Sequence, residues 1–229
     1  MKTFTRVLTL IVVLVLIVGT TDAQLRYGKL GIGVAGSAYL PTLDEGAVTA
    51  TKPGILSPGL GMGGGLSFVY SPWEYVAIKG LFGVGQFTYQ YQANSAAAKL
   101  PSTTTMATLN GYATVNLMPN SSFNPFLGAG VGYHYTDART DKGAALVGAG
   151  STRSDISILA TGGFDIFLSE FISVTASADY AIMATDWIDG VKTGSNDSYL
   201  RAGLEIRYYF FDQAFLTRLL EALKNRYEK

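Results

Sequence analysis

Apolar residues alternate with small or polar residues, at a period of two, along most of the chain. In LGIGVAGSAY, Leu30, Ile32 and Val34 are apolar, while Gly31 and Gly33 lie between them. Successive side chains of a strand point to opposite faces, so this stretch predicts a strand with one apolar face. The same pattern recurs in residues 60–68, 76–85, 107–118, 125–135, 156–168, 172–182 and 199–210. The pattern therefore predicts eight strands.

The predicted strand at 76–85 is the least regular of the eight. Beyond Gln86 its apolar positions move to Phe87, Tyr89 and Tyr91 on the opposite face. Such a change of phase predicts either a β-bulge or an aromatic-rich continuation of the strand.

The connections between the predicted strands alternate between short and long. Short turns are predicted around Ser71-Pro72, Pro119 to Ser122, and Ser169-Glu170. The four long connections cover about residues 41–58, 93–102, 138–153 and 186–197. An even number of strands with short turns at one end and long loops at the other predicts an antiparallel up-and-down barrel that crosses a membrane.

Charged residues fall on only one of the two faces of these strands. The side opposite the apolar face carries Lys79, Asp165, Asp179, Arg201, Glu205 and Arg207, with many of the 27 glycines. A lysine or arginine at the lipid midplane costs roughly 2 to 4 kcal/mol, so the apolar face is expected to meet lipid. An eight-stranded barrel has room inside only for side chains. We therefore predict a plugged polar lumen in which these acids and bases form an ion-pair network, with the individual pairs left open.

The beginning of the chain has the pattern of a secretory signal peptide. Lys2 and Arg6 precede an apolar run, and Thr21 and Ala23 fit a cleavage site after residue 23. A retained anchor is the alternative, although the run is shorter than the roughly 20 residues of a spanning helix. We assign residues 1–23 to the signal peptide and 24–210 to the barrel.

The overall composition excludes several classes of function. With 17 basic and 17 acidic residues the chain is neutral, which argues against a nucleic-acid partner. Without cysteine it has no disulfides, thiolate metal ligands or cysteine nucleophile. Charged residues make up only 15%, against about a quarter in soluble domains. A membrane protein fits this composition better than a soluble one.

The stretch GLGMGGGLSF contains the spacing of a dinucleotide-binding loop, at Gly59, Gly61 and Gly64. That motif requires the glycines to follow a strand and open a helix. Here LSFVYSPW continues as a strand, so we interpret the glycines as the small face of a barrel strand and expect no cofactor.

Two segments give the chain its resemblance to a known family. NPFLGAGVGYHY (124–135) and RAGLEIRYYF (201–210) resemble strands of the small outer-membrane β-barrels of the OmpA and OmpX type in Gram-negative bacteria. The second is similar to the closing-strand assembly signal of that group, here at Arg201, Gly203, Ile206, Tyr208 and Phe210. The resemblance implies location in the outer membrane, contact with its lipid, and recognition by the periplasmic barrel-assembly machinery. Unlike many members, this chain continues for nineteen residues after Phe210.

Residues 211–229 change to a helical period. Apolar residues from Phe215 to Tyr227 share one face, and Asp212 is placed to cap the first turn. With eight strands and a periplasmic N terminus, this amphipathic helix is expected in the periplasm. We favour a surface-lying or self-packed helix over a docking site for a periplasmic partner.

Candidate catalytic chemistry is sparse. The single histidine, His134, lies on the inward face near the loop end, whereas barrel lipid hydrolases use a Ser-His pair that faces lipid. Asp165 and Asp179 fit an ion-pair network better than an acid-base pair, and no aspartate spacing matches a calcium loop. We predict no catalytic or metal site. Three functions stay open: a structural or surface-exposed, adhesin-like barrel acting through four long extracellular loops, a narrow pore, and a lipid-modifying enzyme.

Overall fold

A computed structural model of the chain describes residues 28–42, 55–92, 100–140, 152–185 and 196–211. The predicted signal peptide and the predicted C-terminal helix both lie outside these residues. The strands are β1 (Leu30–Thr42), β2 (Ile55–Pro58), β3 (Gly61–Trp73), β4 (Val76–Gln92), β5 (Leu100–Asn116), β6 (Phe123–Thr140), β7 (Thr152–Phe167), β8 (Ile172–Met183) and β9 (Ser198–Phe211). Among the described residues, no helix is long and apolar enough to cross a membrane.

The strands form one antiparallel sheet that closes on itself. The order is β2-β4-β3-β1-β9-β8-β7-β6-β5, and pairing of β4 with β5 closes the ring. Strands β2 and β3 both pair with β4, so together they count as one strand of an eight-stranded barrel. The prediction of a closed eight-stranded antiparallel barrel is confirmed.

The two ends of the barrel differ in their connections. At one end, called here the short-turn end, residues 74–75, 117–122 and 168–171 join neighbouring strands. The first residue of β1 and the last of β9 pair at this same end, Leu30 with Phe211. The other end, called the long-connection end, carries the four longer connections. Both termini of the barrel therefore lie at the short-turn end.

Strands β5, β6 and β7 extend into segments 93–102 and 138–153, which were predicted as loops. Strand β4 is also longer than its predicted core. Strand β4 reaches Gln92 and pairs with β5 without interruption past Gln86. Of the two predicted alternatives, the continuation of the strand is confirmed, and the β4–β5 register has no bulge. The apolar phase changes because Phe87 takes an inward position, where it is only 2% exposed. The irregular register of the β3–β4 pair lies instead between Tyr70 and Trp73.

The outer face of the wall is apolar. Val34, Val131 and Ile158 have 65%, 69% and 71% of their surface exposed, as only an outward position allows. Among the outward side chains that the structure describes, the charged ones in the strands are Asp137 and Arg139, at the long-connection end of β6. Exposed apolar surface of this extent needs a non-aqueous neighbour.

Exposed aromatic side chains cluster towards the two ends of this apolar face. Those near the short-turn end are Tyr70, Trp73, Tyr75, Phe171, Tyr208 and Phe210, and those nearer the other end are Tyr133, Tyr135 and Tyr180. Aromatic girdles on both sides of an apolar band are typical of barrels in the outer membrane.

Candidate functional site

The lumen near the short-turn end holds a cluster of four charged residues, called here the ion cluster: Lys79, Asp165, Glu205 and Arg207. Lys79 Nζ lies 2.8 Å from Glu205 Oε2. Arg207 donates to Glu205 through Nε at 2.6 Å and to Asp165 through Nη1 at 2.9 Å. The cluster contains two acids and two bases, so it is neutral as a whole.

The ion cluster connects strands that are not neighbours in the wall. Lys79 projects from β4, Asp165 from β7, and Glu205 with Arg207 from β9. In the sheet order β9 adjoins β1 and β8. The Lys79–Glu205 pair therefore crosses the lumen between β4 and β9, and the Arg207–Asp165 pair spans β8.

A second ion pair lies further towards the long-connection end. Arg201 on β9 donates from Nε to Asp179 Oδ2 on the neighbouring β8 at 2.6 Å. Thr161 supplies a further hydrogen bond to Asp179 at 2.5 Å. The six charged residues predicted for the lumen are thus divided into a cluster of four and a pair.

Hydroxyl groups complete the solvation of these buried carboxylates. Ser67 donates to Glu205, and Thr175 donates to Asp165 Oδ1 at 2.5 Å. The side chains of the ion cluster and of the Arg201–Asp179 pair are at most 9% exposed. Buried ions are tolerated only when partners replace the water they lose, and here each carboxylate has both a cation and a hydroxyl.

Glycine at position 33 makes room for the ion cluster. A Cβ added to Gly33 would lie 2.5 Å from Glu205 Oε1 and 2.9 Å from Arg207 Cγ. A real Cβ does not approach other atoms so closely, and the long side chains of β9 occupy that volume.

The lumen nearer the long-connection end is filled by apolar and aromatic side chains. The buried set comprises Ala35, Tyr39, Leu81, Phe87, Met106, Tyr112, Ala138, Leu159, Ala181, Met183 and Tyr199. The sequence pattern predicts a polar lumen and does not predict this apolar layer. An apolar side chain that points into the lumen breaks the alternation of apolar and polar positions. The sequence alone does not distinguish such a side chain from an irregularity in the outer apolar face.

Asparagine side chains link the turns at the short-turn end. Asn124 donates to Asn116 Oδ1 at 3.1 Å and accepts from the Met118 amide at 3.2 Å. Asn120 donates to Glu74 on the neighbouring turn at 2.5 Å. A cavity of about 20 Å³ remains beside the ion cluster, which is space for about one water molecule.

His134 lies inside the barrel, on the face that its parity predicts, and is 0% exposed. Its Nε2 is 2.7 Å from Ser157 Oγ, while its Nδ1 has no hydrogen-bond partner within the described part of the chain. The neighbouring Asp155 accepts from the Ile156 amide and from Thr185. A catalytic triad needs its carboxylate on the second ring nitrogen and an accessible serine, so this group does not form one.

The residues of the predicted assembly signal occupy β9. Arg201 points inward and is 3% exposed, whereas Ile206, Tyr208 and Phe210 point outward with 62%, 51% and 41% exposed. Tyr208 stacks on Phe210 with ring centres 6.4 Å apart. Gly203 lies on the inward side, where an added Cβ would be 3.1 Å from Ser177 Oγ.

Within the described ranges, no group of three or more histidine, aspartate and glutamate side chains is arranged to hold a metal ion.

Comparisons with known proteins identify the fold. No protein-family model matches the chain, and no curated protein matches it. Among solved structures, the outer membrane protein OprG from Pseudomonas aeruginosa has a TM-score of 0.57 and 17% identity, over 82% of this chain and 99% of that chain. Neisserial surface protein A (NspA) has a TM-score of 0.54 and 13% identity, over 79% of this chain and 97% of that chain. The chain therefore has the fold of the small eight-stranded outer-membrane β-barrels.

Proposed function

We propose that this chain is an outer-membrane barrel of a Gram-negative bacterium with a closed lumen, and that it acts at the cell surface through its four long connections. In this proposal the short-turn end and both termini face the periplasm. The role is structural or adhesin-like, in that the barrel presents its connections to other cells or molecules. OprG and NspA have the same fold, and the name of NspA describes a surface protein.

The filled lumen is the observation that carries this proposal. The ion cluster, the Arg201–Asp179 pair and the apolar layer occupy the interior from the short-turn end upward. The described outer face is apolar, whereas the four long connections are rich in Gly, Ala, Ser, Thr and Asp, which favours recognition through the connections. A barrel of this kind serves better as a scaffold than as a channel.

Electrical recording separates the scaffold from the narrow pore, the second candidate. The cavity of about 20 Å³ beside the ion cluster favours a pore only if it extends into a continuous path. We expect the purified barrel in planar bilayers to give no steady current. A stable conductance that disappears when Tyr112→Trp narrows the lumen would contradict the scaffold and support the pore.

Epitope tags test the proposed orientation. A tag between β6 and β7, in residues 141–151, should bind antibody on intact cells. The matched control is a tag in the short turn at Ser169-Glu170, which should bind only after the outer membrane is permeabilised. The reverse result would place the long connections in the periplasm and end the surface role. With the orientation established, deleting each long connection in turn and measuring whole-cell binding would identify the one that carries recognition.

The terminal aromatic residues of β9 are proposed to guide assembly. Phe210→Ala is expected to lower the amount of barrel inserted in cells while leaving folding in detergent unchanged. Leu204→Ala, on the same outward face, is the control and should insert normally. Equal insertion of both variants would count against a role of Phe210 in recognition by the assembly machinery.

Lipid-modifying activity is the least favoured of the three candidate functions, because the His134–Ser157 pair is buried inside the barrel and does not face lipid. Incubation with phospholipid vesicles should give no turnover. Turnover that is lost in His134→Ala would restore the enzyme hypothesis.

A further inference from the structure

Three neighbouring strands, β4, β5 and β6, carry a polar patch on their outer face towards the long-connection end. This patch, called here the polar panel, has two rows of register partners: Gln86, Thr105 and Asp137 form one row, and Thr88, Thr103 and Arg139 form the other. Their side chains are exposed or half-buried, whereas the residues between them, such as Phe87, point into the lumen. The polar panel is thus part of the outer wall.

The polar panel continues the lipid-facing surface without a break. Going towards the short-turn end, the next row of register partners is Val84, Ala107 and Tyr135, and the row after it is Phe82, Leu109 and Tyr133. Both rows lie on the same face of the same strands as the panel. Because the outer face of a barrel looks sideways, a ligand of the panel lies beside the barrel, directly above the lipid chains that contact these apolar rows.

The panel strands continue above the apolar band, whereas a nearby strand does not. Strand β6 runs past the exposed Tyr135 to Thr140. Two strands away, β8 ends at Met183, directly after the exposed Ile182. The panel is therefore an extension of the wall on the β4–β6 side of the barrel.

This extension is taller than the headgroup of a phospholipid. The stretch from Tyr135 to Arg139 spans about 10 Å along the barrel axis, at a rise of roughly 3.3 Å per residue and a tilt of about 40°. The headgroup layer of a phospholipid bilayer adds about 5 to 7 Å on each side of the hydrocarbon. Arg139 therefore lies above that layer, at a level that a headgroup of several sugars reaches.

The chemistry of the polar panel is complementary to sugars. Threonine hydroxyls and the Gln86 amide both donate and accept hydrogen bonds, as sugar hydroxyls do. Arg139 Nε donates to both carboxylate oxygens of Asp137 at 3.0 Å, so these two charges neutralise each other. A purely anionic ligand would compete with Asp137 for the guanidinium, whereas a sugar can bond to both partners of the pair.

We propose that the polar panel binds the saccharide headgroup of a glycolipid whose acyl chains lie on the apolar rows below it. The hydroxyls of Thr88, Thr103 and Thr105 exchange hydrogen bonds with sugar hydroxyls. Tyr135 lies at the boundary between sugar and hydrocarbon, where a ring with one polar end is favoured. The proposal rests on the proposed function in one respect, that the long-connection end faces the cell exterior, and it adds the barrel wall to the surfaces that recognise a ligand.

Binding of rough lipopolysaccharide to the full-length barrel in detergent micelles tests the proposal. Fluorescence anisotropy of dye-labelled lipopolysaccharide gives the dissociation constant. Two unlabelled competitors separate the parts of the ligand: the core oligosaccharide has sugars without acyl chains, and phosphatidylglycerol has acyl chains and charge without a saccharide. We expect the oligosaccharide to displace the probe and phosphatidylglycerol to leave it bound. Displacement by phosphatidylglycerol alone would show that sugars are not recognised and would overturn the proposal.

A pair of double variants locates the binding surface. Thr103→Val with Thr105→Val removes two hydroxyls of the panel and keeps the β-branched shape. The dissociation constant should rise about tenfold, as loss of two hydrogen bonds implies. Tyr70→Phe with Tyr75→Phe is the matched control, because it removes two exposed hydroxyls at the short-turn end, and its binding should equal that of the parent. Equal binding by both double variants would exclude the panel as the site.

A spin label provides a second measurement that depends on neither double variant. The chain has no cysteine, so a nitroxide on Thr105→Cys occupies a single site, and the heat-dependent gel shift of folded barrels checks that the protein is folded. Lipopolysaccharide should reduce the exposure of this nitroxide to a water-soluble nickel chelate. A nitroxide on Glu170→Cys, at the exposed short turn, should stay fully accessible.

Equal shielding of the two labels, or shielding of neither, would contradict a glycolipid site on the panel. Binding in micelles does not depend on which side of a membrane the panel faces. The epitope tags alone therefore decide the orientation, and failure of the proposed surface role is distinguishable from failure of the glycolipid site.

Discussion

Replacing Arg207 with methionine tests whether the lumen is a dry, packed interior. Arg207 is 3% exposed and donates to both carboxylates of the ion cluster, at 2.6 Å to Glu205 and 2.9 Å to Asp165. Methionine keeps much of the side-chain volume and removes the charge. After the change Glu205 retains Lys79, whereas the partner left to Asp165 among the described residues is the Thr175 hydroxyl.

The expected loss of stability follows from the charge left behind. Removing one partner of a buried ion pair costs about 3 to 5 kcal/mol, because the remaining charge is desolvated and uncompensated. Adding Asp165→Asn to Arg207→Met removes that charge, so the double variant should recover part of the loss. This non-additivity is expected for residues in one network.

Denaturant unfolding of the barrel in lipid vesicles, followed by tryptophan fluorescence, provides the measurement. Arg139→Met is the matched control, since Arg139 pairs with Asp137 at 3.0 Å but its side chain is 54% exposed. Exposed pairs contribute little to stability, and this variant should unfold like the parent. If Arg207→Met and Arg139→Met both lower the unfolding free energy by the same small amount, water in the lumen screens its charges. A closed lumen would then be contradicted.

Two further predictions concern positions in the wall. Gly61→Ala should lower the unfolding free energy by about 1 to 3 kcal/mol through overcrowding, because the added Cβ would lie 2.6 Å from Phe87 Cβ. The control is Gly111→Ala, which should be neutral or slightly stabilising, because its added Cβ would have nothing within 4 Å. Equal effects of the two variants would show that position 61 does not need glycine for close approach. Val131→Arg should cost about 2 to 4 kcal/mol at the bilayer centre, and Leu168→Arg at the short-turn end about 0 to 1 kcal/mol. The same unfolding assay measures both, and equal costs would argue against a bilayer around the barrel.

The barrel itself was predictable because lipid and lumen impose opposite demands on alternate residues. Leu30, Ile32 and Val34 illustrate this. They lie on the outer face, and the glycines between them lie on the inner face, as a period of two predicts. Strand ends were predicted less well. The Thr-rich segment 100–106 continues as a paired strand, although its polar composition is typical of loops.

The contents of the lumen were predictable in kind but not in arrangement. Parity alone places Lys79 and Glu205 inward, yet their pairing depends on how the closed sheet brings β4 opposite β9. That juxtaposition is set by the stagger of the barrel, which no local pattern records. The same limit hid the inward positions of Leu81 and Leu159, because both the lipid side and this part of the lumen accept an aliphatic side chain.

The links from β4 and β7 to β9 have a consequence for insertion into the membrane. Arg207 and Glu205 belong to the last strand, so their partners on β4 and β7 are made and delivered before them. A partial sheet without β9 would carry Lys79 and Asp165 with no counter-charge. We therefore expect these charges to be buried when β9 pairs with β1 and closes the barrel, and we expect forms without β9 to be disfavoured by their unpaired ions.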